Sequence, residues 1–482
     1  MDLAAFEHHL TSPQGHGHRP ANAHTVTTGG GVCCDEVTLS VAVDGDRVTD
    51  AGFTARGCGA TTAAASAVVT LIRDTPVIQA ARIGPGQIAE ELGGLSPAKR
   101  HAADVAAEGL ARALGAAVRA DACIQTNPRA TLVAMSGGVD SAVAAHLTAQ
   151  HGPTIAVTLE LWADHENDAG RSCCSASAVA QARGLAHSMG LPHFTIDLRD
   201  EFRAGVVEPF IAGYASGETP NPCVGCNGHV RLDAMIALAD RLGCATLTTG
   251  HYARTAELGD ERGPLLRAAA DPAKDQTYML AALDPESLAR LRFPLGDLHK
   301  TEVRRIAAQA GLPVAAKADS QDLCFLAGTS RQRFLARHGG IEDRPGTVVT
   351  RQGTTIGHHE GQHRFTIGQR RGIGIAAPQP LYVLDKDAET GTVVVGTRDE
   401  LRGDRVVIRA ARLHRDGARV DRVKLRYRSH PLRAQLIGDV GQGRHRSLAL
   451  GLQDAAVGAA PGQLACLMDG DLVVGWGTIT RS

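Results

Sequence analysis

Thr131-Leu132-Val133-Ala134-Met135-Ser136-Gly137-Gly138-Val139-Asp140-Ser141 decides how this chain folds. Its first five residues form an apolar run suited to a strand. Beyond Ser141, Val143, Ala144 and Leu147 share one face of a helix. Strand, glycine turn and helix together aim backbone N–H groups at an anion. Ser136 and Ser141 add hydroxyl donors, and Gly137 and Gly138 let main chain approach a phosphate closely. No Gly-Lys-Ser/Thr follows, so this is not a Walker loop. Ala134 to Ser141 are therefore candidate nucleotide-binding residues. Further apolar segments, Thr154 to Leu159, Pro192 to Asp197 and Ala245 to Thr249, alternate with helical stretches, including Arg171 to Met189. That alternation predicts a parallel α/β sheet with ligands at the strands' C-terminal ends. Leu159 lies at such an end and is a candidate adenine contact. Gly250, in the turn after Thr249, is a second candidate contact with the nucleotide.

At 482 residues the chain should hold about three domains by length. Lys+Arg 50 balance Asp+Glu 51, so any nucleic-acid surface must be local. No apolar run reaches membrane-spanning length, and the first residues lack a signal-peptide pattern. A cytoplasmic protein without membrane partners is the expectation. The 11 cysteines are clustered, which in a reducing compartment points to metal or sulfur chemistry rather than disulfides. The expected organisation is an α+β unit over 1–126, the α/β domain over 127–335, a small β domain over 336–402 and a β-barrel over 403–482.

The loop Ser136-Gly137-Gly138-Val139-Asp140-Ser141 resembles that of the N-type ATP pyrophosphatases, which adenylate a carbonyl oxygen and release pyrophosphate. Downstream stand Asn221-Pro222-Cys223-Val224-Gly225-Cys226-Asn227, Thr249-Gly250-His251-Tyr252-Ala253-Arg254, Lys274-Asp275-Gln276-Thr277-Tyr278 and Asp319-Ser320-Gln321-Asp322-Leu323-Cys324-Phe325. In this order, from about residue 130 to the C-terminus, they resemble the tRNA-specific 2-thiouridylases of the MnmA type. The resemblance implies that ATP, with Mg²⁺ held near Asp140, adenylates O2 of the wobble uridine of tRNA, and that sulfur then displaces AMP. It places Cys226 as the nucleophilic cysteine and Cys324 as the sulfur carrier. It places Asn221, Pro222, Cys223, Lys274, Asp275 and Gln276 at positions contacting the base and the tRNA. Many members carry Asp where this chain has Cys223. Cys223, Cys226 and Cys324 can therefore jointly hold a [4Fe–4S] cluster; the other route is a persulfide on Cys324, resolved by Cys226. Both routes stay open, and a cysteine desulfurase or another sulfur donor is an implied partner.

Three local expectations accompany these motifs. The prolines around Cys223 predict an extended segment, and Cys324 is expected on a short strand. Arg422 to His430 alternates basic and apolar residues like a strand, making Arg426, Tyr427 and Arg428 candidates for contacting RNA.

The first 126 residues begin with a histidine-rich segment read as a solvated lead-in. Two strands, a small-residue helix from Ala63 to Arg73 and a long Ala-rich helix opening at Ser96-Pro97 follow. Cys33-Cys34-Asp35 and Gly57-Cys58 resemble the motifs of the NifU/IscU-like iron–sulfur scaffolds. That resemblance makes Cys33, Asp35, Cys58 and His101 candidate ligands for an Fe–S group or zinc. The family's third cysteine position holds Ala102, and Cys123 replaces it only if the chain folds back. A metal site and a degenerate scaffold kept for docking or sulfur relay are both consistent with this pattern. A fused donor to the thiolation site is the leading reading of the whole chain; an iron–sulfur assembly scaffold with an RNA-binding C-terminal part is the alternative.

Overall fold

The computed structural model describes residues 3–30, 34–164, 175–319, 323–326 and 328–481. Cys33, Cys173, Cys174 and Ser320 to Asp322 lie outside them. The chain opens with α1 (Leu3–Thr11), the antiparallel sheet β1 (His24–Gly29), β2 (Glu36–Asp44) and β3 (Arg47–Arg56), and α2 (Gly59–Ile72). Short helices α3 (Val77–Ala80) and α4 (Pro85–Glu91) lead to the long α5 (Arg100–Ala120). The expected solvated lead-in is instead ordered: His9 is buried and hydrogen-bonds Ser66 of α2.

The central sheet has the order β10-β7-β4-β5-β6, all parallel. It is built from β4 (Asn127–Ala134), α6 (Val139–Ala149), β5 (Thr154–Glu160), α7 (Ala176–Ser188) and β6 (His193–Asp197). Among the described residues α7 starts at Ala176, capped by Ser175 Oγ accepting from the Ala178 N–H, later than the expected Arg171. After β6 come α8 (Arg199–Phe202), α9 (Glu208–Ala215), α10 (Pro222–Gly225), α11 (Leu232–Arg241) and β7 (Cys244–Thr248). The chain builds β4, β5 and β6 outward to one side, then returns past β4 to add β7 on the other. The C-terminal end of β4 is thus a topological switch point, where such sheets open a crevice.

The hairpin β8 (Arg254–Ala256) and β9 (Leu265–Arg267) leaves this domain and pairs with the last strand of the chain. Then follow α12 (Thr277–Leu280), α13 (Pro285–Arg290), β10 (Leu291–Arg292), α14 (Lys300–Gln309) and α15 (Arg331–Gly339). A four-stranded sheet combines β11 (Gly346–Thr350), β12 (Thr355–His359), β13 (Tyr382–Asp387) and β14 (Thr392–Gly396). A six-stranded barrel ends the chain: β15 (Arg402–Leu413), β16 (Arg422–Lys424), β17 (Leu432–Leu436), β18 (Gly443–Val457), β19 (Leu464–Asp469) and β20 (Leu472–Ile479), closed by β15–β20 pairing. The strand expected through His430 stops at Lys424; a turn carries residues 425–429.

The N-terminal unit is packed on the central sheet. Its α5 buries a wide, alanine-rich surface and lies between β1/β2 on one side and β6 on the other. The apolar side of α5 belongs to a core, and one apolar cluster runs from Leu39 and Leu110 to Leu132 and Phe194. At Gly115 a Cβ would stand 2.0 Å from the Thr195 carbonyl oxygen, so the close approach of α5 to β6 requires glycine. A charge pair lies inside the contact: Arg112 Nε donates to Glu160 Oε1 at 3.0 Å, with Glu160 only 6% exposed. Backbone bonds join the units too, from the His193 N–H to Ala81 O and from the Ile124 N–H to Arg241 O.

Candidate active site

The β4–α6 turn is shaped as an anion cradle. Gly137 has φ +71°, a left-handed conformation that favours glycine, and its missing Cβ would meet Ala178 O at 2.8 Å. Ser141 Oγ accepts from the Ser136 N–H at 3.1 Å and donates to Gly138 O at 3.1 Å, fixing the turn from inside. No side chain caps α6, so its first N–H groups face the crevice, where a helix N-terminus attracts negative charge. Gly250 belongs to the same construction, because a Cβ there would come 2.7 Å from the Ser141 nitrogen. A cavity of about 760 Å³ opens over the turn. Ala134, Met135, Ser136, Gly138, Val139, Asp140, Ser141, Leu159 and Gly250 line it; Gly137 supports it from behind.

Beside the cradle lies a charge network that the sequence motifs do not announce. Lys300, at the start of α14, donates to both Asp140 carboxylate oxygens at 2.7 and 2.8 Å and contacts Asp319 at 2.9 Å. Tyr252 OH donates to Asp140 Oδ1 at 2.8 Å. Lys274 and Arg304 also pair with Asp319, at 2.7 and 2.9 Å. Burial alone would raise Asp319, but the hydrogen bonds from Lys274 and Lys300 win and hold it at about 2. Lys317 Nζ reaches the cradle itself, donating to Gly137 O at 2.9 Å and Gln181 Oε1 at 2.5 Å. His251, hydrogen-bonded to Thr249, is pulled down to about 3 by desolvation and is therefore neutral where it lines the cavity.

Cys223, Cys226 and Cys324 all line the same cavity. The segment around Cys223 is helical rather than extended. Asn221 is the N-cap, its Oδ1 accepting from the Cys223 N–H at 3.1 Å, and Pro222 takes the first helical position, where its fixed φ and missing N–H cost nothing. Cys223 and Cys226 thus sit about one helical turn apart and share a face. Cys324 lies on a 3₁₀ turn, Cys324–Leu326, not a strand. Phe325 pins that turn in an aromatic box, 5.8 Å from Phe202, 5.2 Å from Phe210 and 5.1 Å from Phe334.

The residues expected to meet tRNA divide. Pro222, Cys223, Gln276 and Tyr427 line the cavity. Arg428 is exposed on the turn after β16 and does not line the cavity. Asp275 is turned inward, accepting from the Ala269 N–H and from Thr277 Oγ1. Gln276 Oε1 accepts from the Tyr252 N–H at 2.9 Å. Arg426 departs from the expected outward strand face. Its guanidinium donates to Ile367 O at 2.9 Å and Gly458 O at 2.5 Å, tying the turn to two neighbouring segments.

A second centre lies in the N-terminal unit. Ligand atoms of Asp35, Cys58 and His101 all fall within 4.8 Å of one another. Asp35 Oδ1 accepts from the Cys58 N–H at 3.0 Å, and His101 Nε2 is 2.6 Å from Asp35 Oδ2. Burial would raise the Cys58 thiol, but hydrogen bonds from Thr61 and Ala60 at the start of α2 outweigh it and bring it to about 7. A carboxylate, a thiol and an imidazole around one point suit a divalent ion such as zinc. Cys123 does not join them. It follows the far end of α5, about 30 Å from His101 at 1.5 Å per residue, with its N–H on Gly45 O. Ala102 is fully buried in the core.

Three stretches of the chain match family models of known proteins. Residues 5–122 match the NifU-like N terminal domain, 129–328 the tRNA methyl transferase HUP domain and 332–397 the tRNA methyl transferase PRC-barrel domain. The bifunctional protein NifU/MnmA of Rubrobacter xylanophilus is 41% identical over 98% of this chain and 97% of its own length. The tRNA-specific 2-thiouridylase MnmA of Geobacter metallireducens is 40% identical over 72% of this chain and 96% of its own. That of Corynebacterium kroppenstedtii is 40% identical over 72% and 94%. Among the described residues no helix is long and apolar enough to cross a membrane. With a scaffold-like unit docked by α5 onto a phosphate-loop domain that shares its cavity with three cysteines, the chain belongs to the bifunctional NifU/MnmA family of tRNA-specific 2-thiouridylases.

Proposed function

We propose that the chain uses ATP to adenylate O2 of a tRNA wobble uridine and replaces that oxygen with sulfur in the same cavity. One observation carries the reading: the uncapped α6 cradle and Cys223, Cys226 and Cys324 line a single cavity of about 760 Å³, within the range of nucleotide-sized pockets. ATP phosphates rest on the α6 N-terminus, with the adenine toward Leu159. The uridine O2 attacks the α-phosphorus and pyrophosphate leaves. Sulfur then attacks C2, and AMP departs carrying the former O2. Asp140 is already taken up by Lys300 and Tyr252, so magnesium enters as part of the Mg·ATP substrate.

Two sulfur routes suit the three cysteines. In one, a persulfide on Cys324 attacks C2 with its outer sulfur. Cys226 thiolate then attacks the Cys324 sulfur, which frees the thiocarbonyl, leaves a Cys226–Cys324 disulfide and requires an external thiol reductant for the next turnover. In the other, Cys223, Cys226 and Cys324 would hold a [4Fe–4S] cluster, whose iron would supply a binding site for sulfide. Three thiolates around one cavity fit that group, and the helical spacing of Cys223 and Cys226 places two of them on one side. The N-terminal unit serves as a docked sulfur or metal donor, supplied by a cysteine desulfurase or comparable source. The direct experiment is thionucleoside analysis of tRNA after anaerobic incubation with ATP and sulfide. Ser136→Ala with Asp140→Ala removes 2-thiouridine formation in a folded protein; retained thiolation refutes the ATP role.

A further inference from the structure

We infer that Lys317 is the phosphate-binding cation of the cradle, the residue that receives the β- and γ-phosphates of ATP and holds the departing pyrophosphate. The inference rests on the ATP reading above and deepens it. Four cations belong to the network beside the cradle: Lys274, Lys300, Arg304 and Lys317. Three are already compensated by carboxylates, Lys274 and Arg304 by Asp319, and Lys300 by Asp140 and Asp319. Recruiting any of them to a phosphate means breaking a charged pair. Lys317 differs, because among the described residues its acceptors are neutral: the Gly137 carbonyl and the Gln181 amide oxygen. Among the described residues its positive charge therefore has no carboxylate partner at the rim of the anion cradle. An ammonium has three donors, and these two acceptors use two of them.

The placement is built into the fold. Arg304 on α14 grips the strand of chain that carries Lys317, donating to Ala315 O at 2.8 Å and Lys317 O at 3.1 Å. The Lys317 N–H itself closes a turn onto Val314 O. Gln181 comes from α7, whose Ser177 and Ala178 also line the cavity. Lys317 thus bridges the cradle and α7 across the position where phosphates lie on the α6 N-terminus. A point charge on a flexible stem suits a group that must follow pyrophosphate as it leaves.

The test is equilibrium binding to the full chain of three probes: α,β-methylene-ATP with magnesium, inorganic pyrophosphate, and AMP. Lys317→Gln weakens the ATP analogue and pyrophosphate at least tenfold while AMP affinity changes less than twofold, and Lys317→Arg recovers part of the loss. Retained AMP binding also shows that the variant is folded. Unchanged analogue and pyrophosphate affinity in Lys317→Gln overturns the inference, as does an equal loss for AMP, which would mean a structural role. Failure of the wild-type chain to bind any probe refutes the ATP reading itself, and the inference with it.

Discussion

Gly115→Ala tests whether the N-terminal unit is fixed to the enzyme or swings on a tether, because two effects on α5 oppose each other there. Alanine is the better helix former by about 1 kcal/mol in a helix interior, so a free α5 would gain stability. In the docked molecule the new Cβ would lie 2.0 Å from the Thr195 carbonyl, a backbone atom on β6 that cannot rotate away. The helix must retreat by more than about 1 Å, and overpacking of this kind costs about 1–3 kcal/mol. Retreat also strains the Arg112–Glu160 pair one turn earlier, where Glu160 is almost fully buried. The clash outweighs the helix gain, leaving a net loss of up to about 2 kcal/mol, to which strain in the Arg112–Glu160 pair adds. Gly184→Ala is the control, since that position on α7 has nothing within 4 Å of the place a Cβ would take and should gain up to about 1 kcal/mol. Urea unfolding of both variants, with amide exchange across residues 100–120 and 193–197, reads the sign. A stabilised Gly115→Ala with unchanged protection of β6 would refute the docked arrangement.

Removing residues 1–126 exposes the apolar face of β6 and leaves Glu160 without Arg112; residues 127–482 alone are expected to unfold at lower urea than the full chain, measured by circular dichroism. Phe325→Ala empties the aromatic box beside Cys324 and should cost about 3–5 kcal/mol of local stability, with thiolation falling more than ATP-analogue binding; equal loss of both would mean the box supports the whole cavity. In metal-free protein the Cys58 thiolate fraction rises with pH through about 7, so iodoacetamide alkylation of Cys58, followed by mass spectrometry, should be half-maximal near pH 7 and fall about tenfold per unit below it. Zinc content after refolding should drop from about one equivalent to near zero in Asp35→Ala and His101→Ala, which remove two of the three clustered ligands.

The cradle was legible because its eight residues are contiguous and each has a local reason to be there. The network around it was not, because its members meet only in three dimensions: Lys300 is 160 residues from Asp140, and Lys317 is 180 from Gly137. Pro222 misled because proline both breaks helices and starts them, and only the Asn221 cap distinguishes the two cases. Arg426 misled in another way: basic–apolar alternation describes a strand edge, but β16 ends at Lys424 and the guanidinium turns in to satisfy carbonyls. The docking of α5 left one trace in the sequence, a broad alanine-rich surface beside a narrow charged stripe, which reads equally as the amphipathic helix of a single small domain. The Asp35, Cys58 and His101 cluster was readable from its motifs, whereas the exclusion of Cys123 needed the length of α5.

The central claim, that one cavity first activates and then replaces the uridine oxygen, is tested most directly by following that oxygen. A tRNA carrying ¹⁸O at C2 of its wobble uridine, incubated with the full chain, ATP and a sulfur source, should yield AMP heavier by 2 Da in amounts equal to the 2-thiouridine formed. Label appearing in water or pyrophosphate, or thiolation without labelled AMP, would contradict the account.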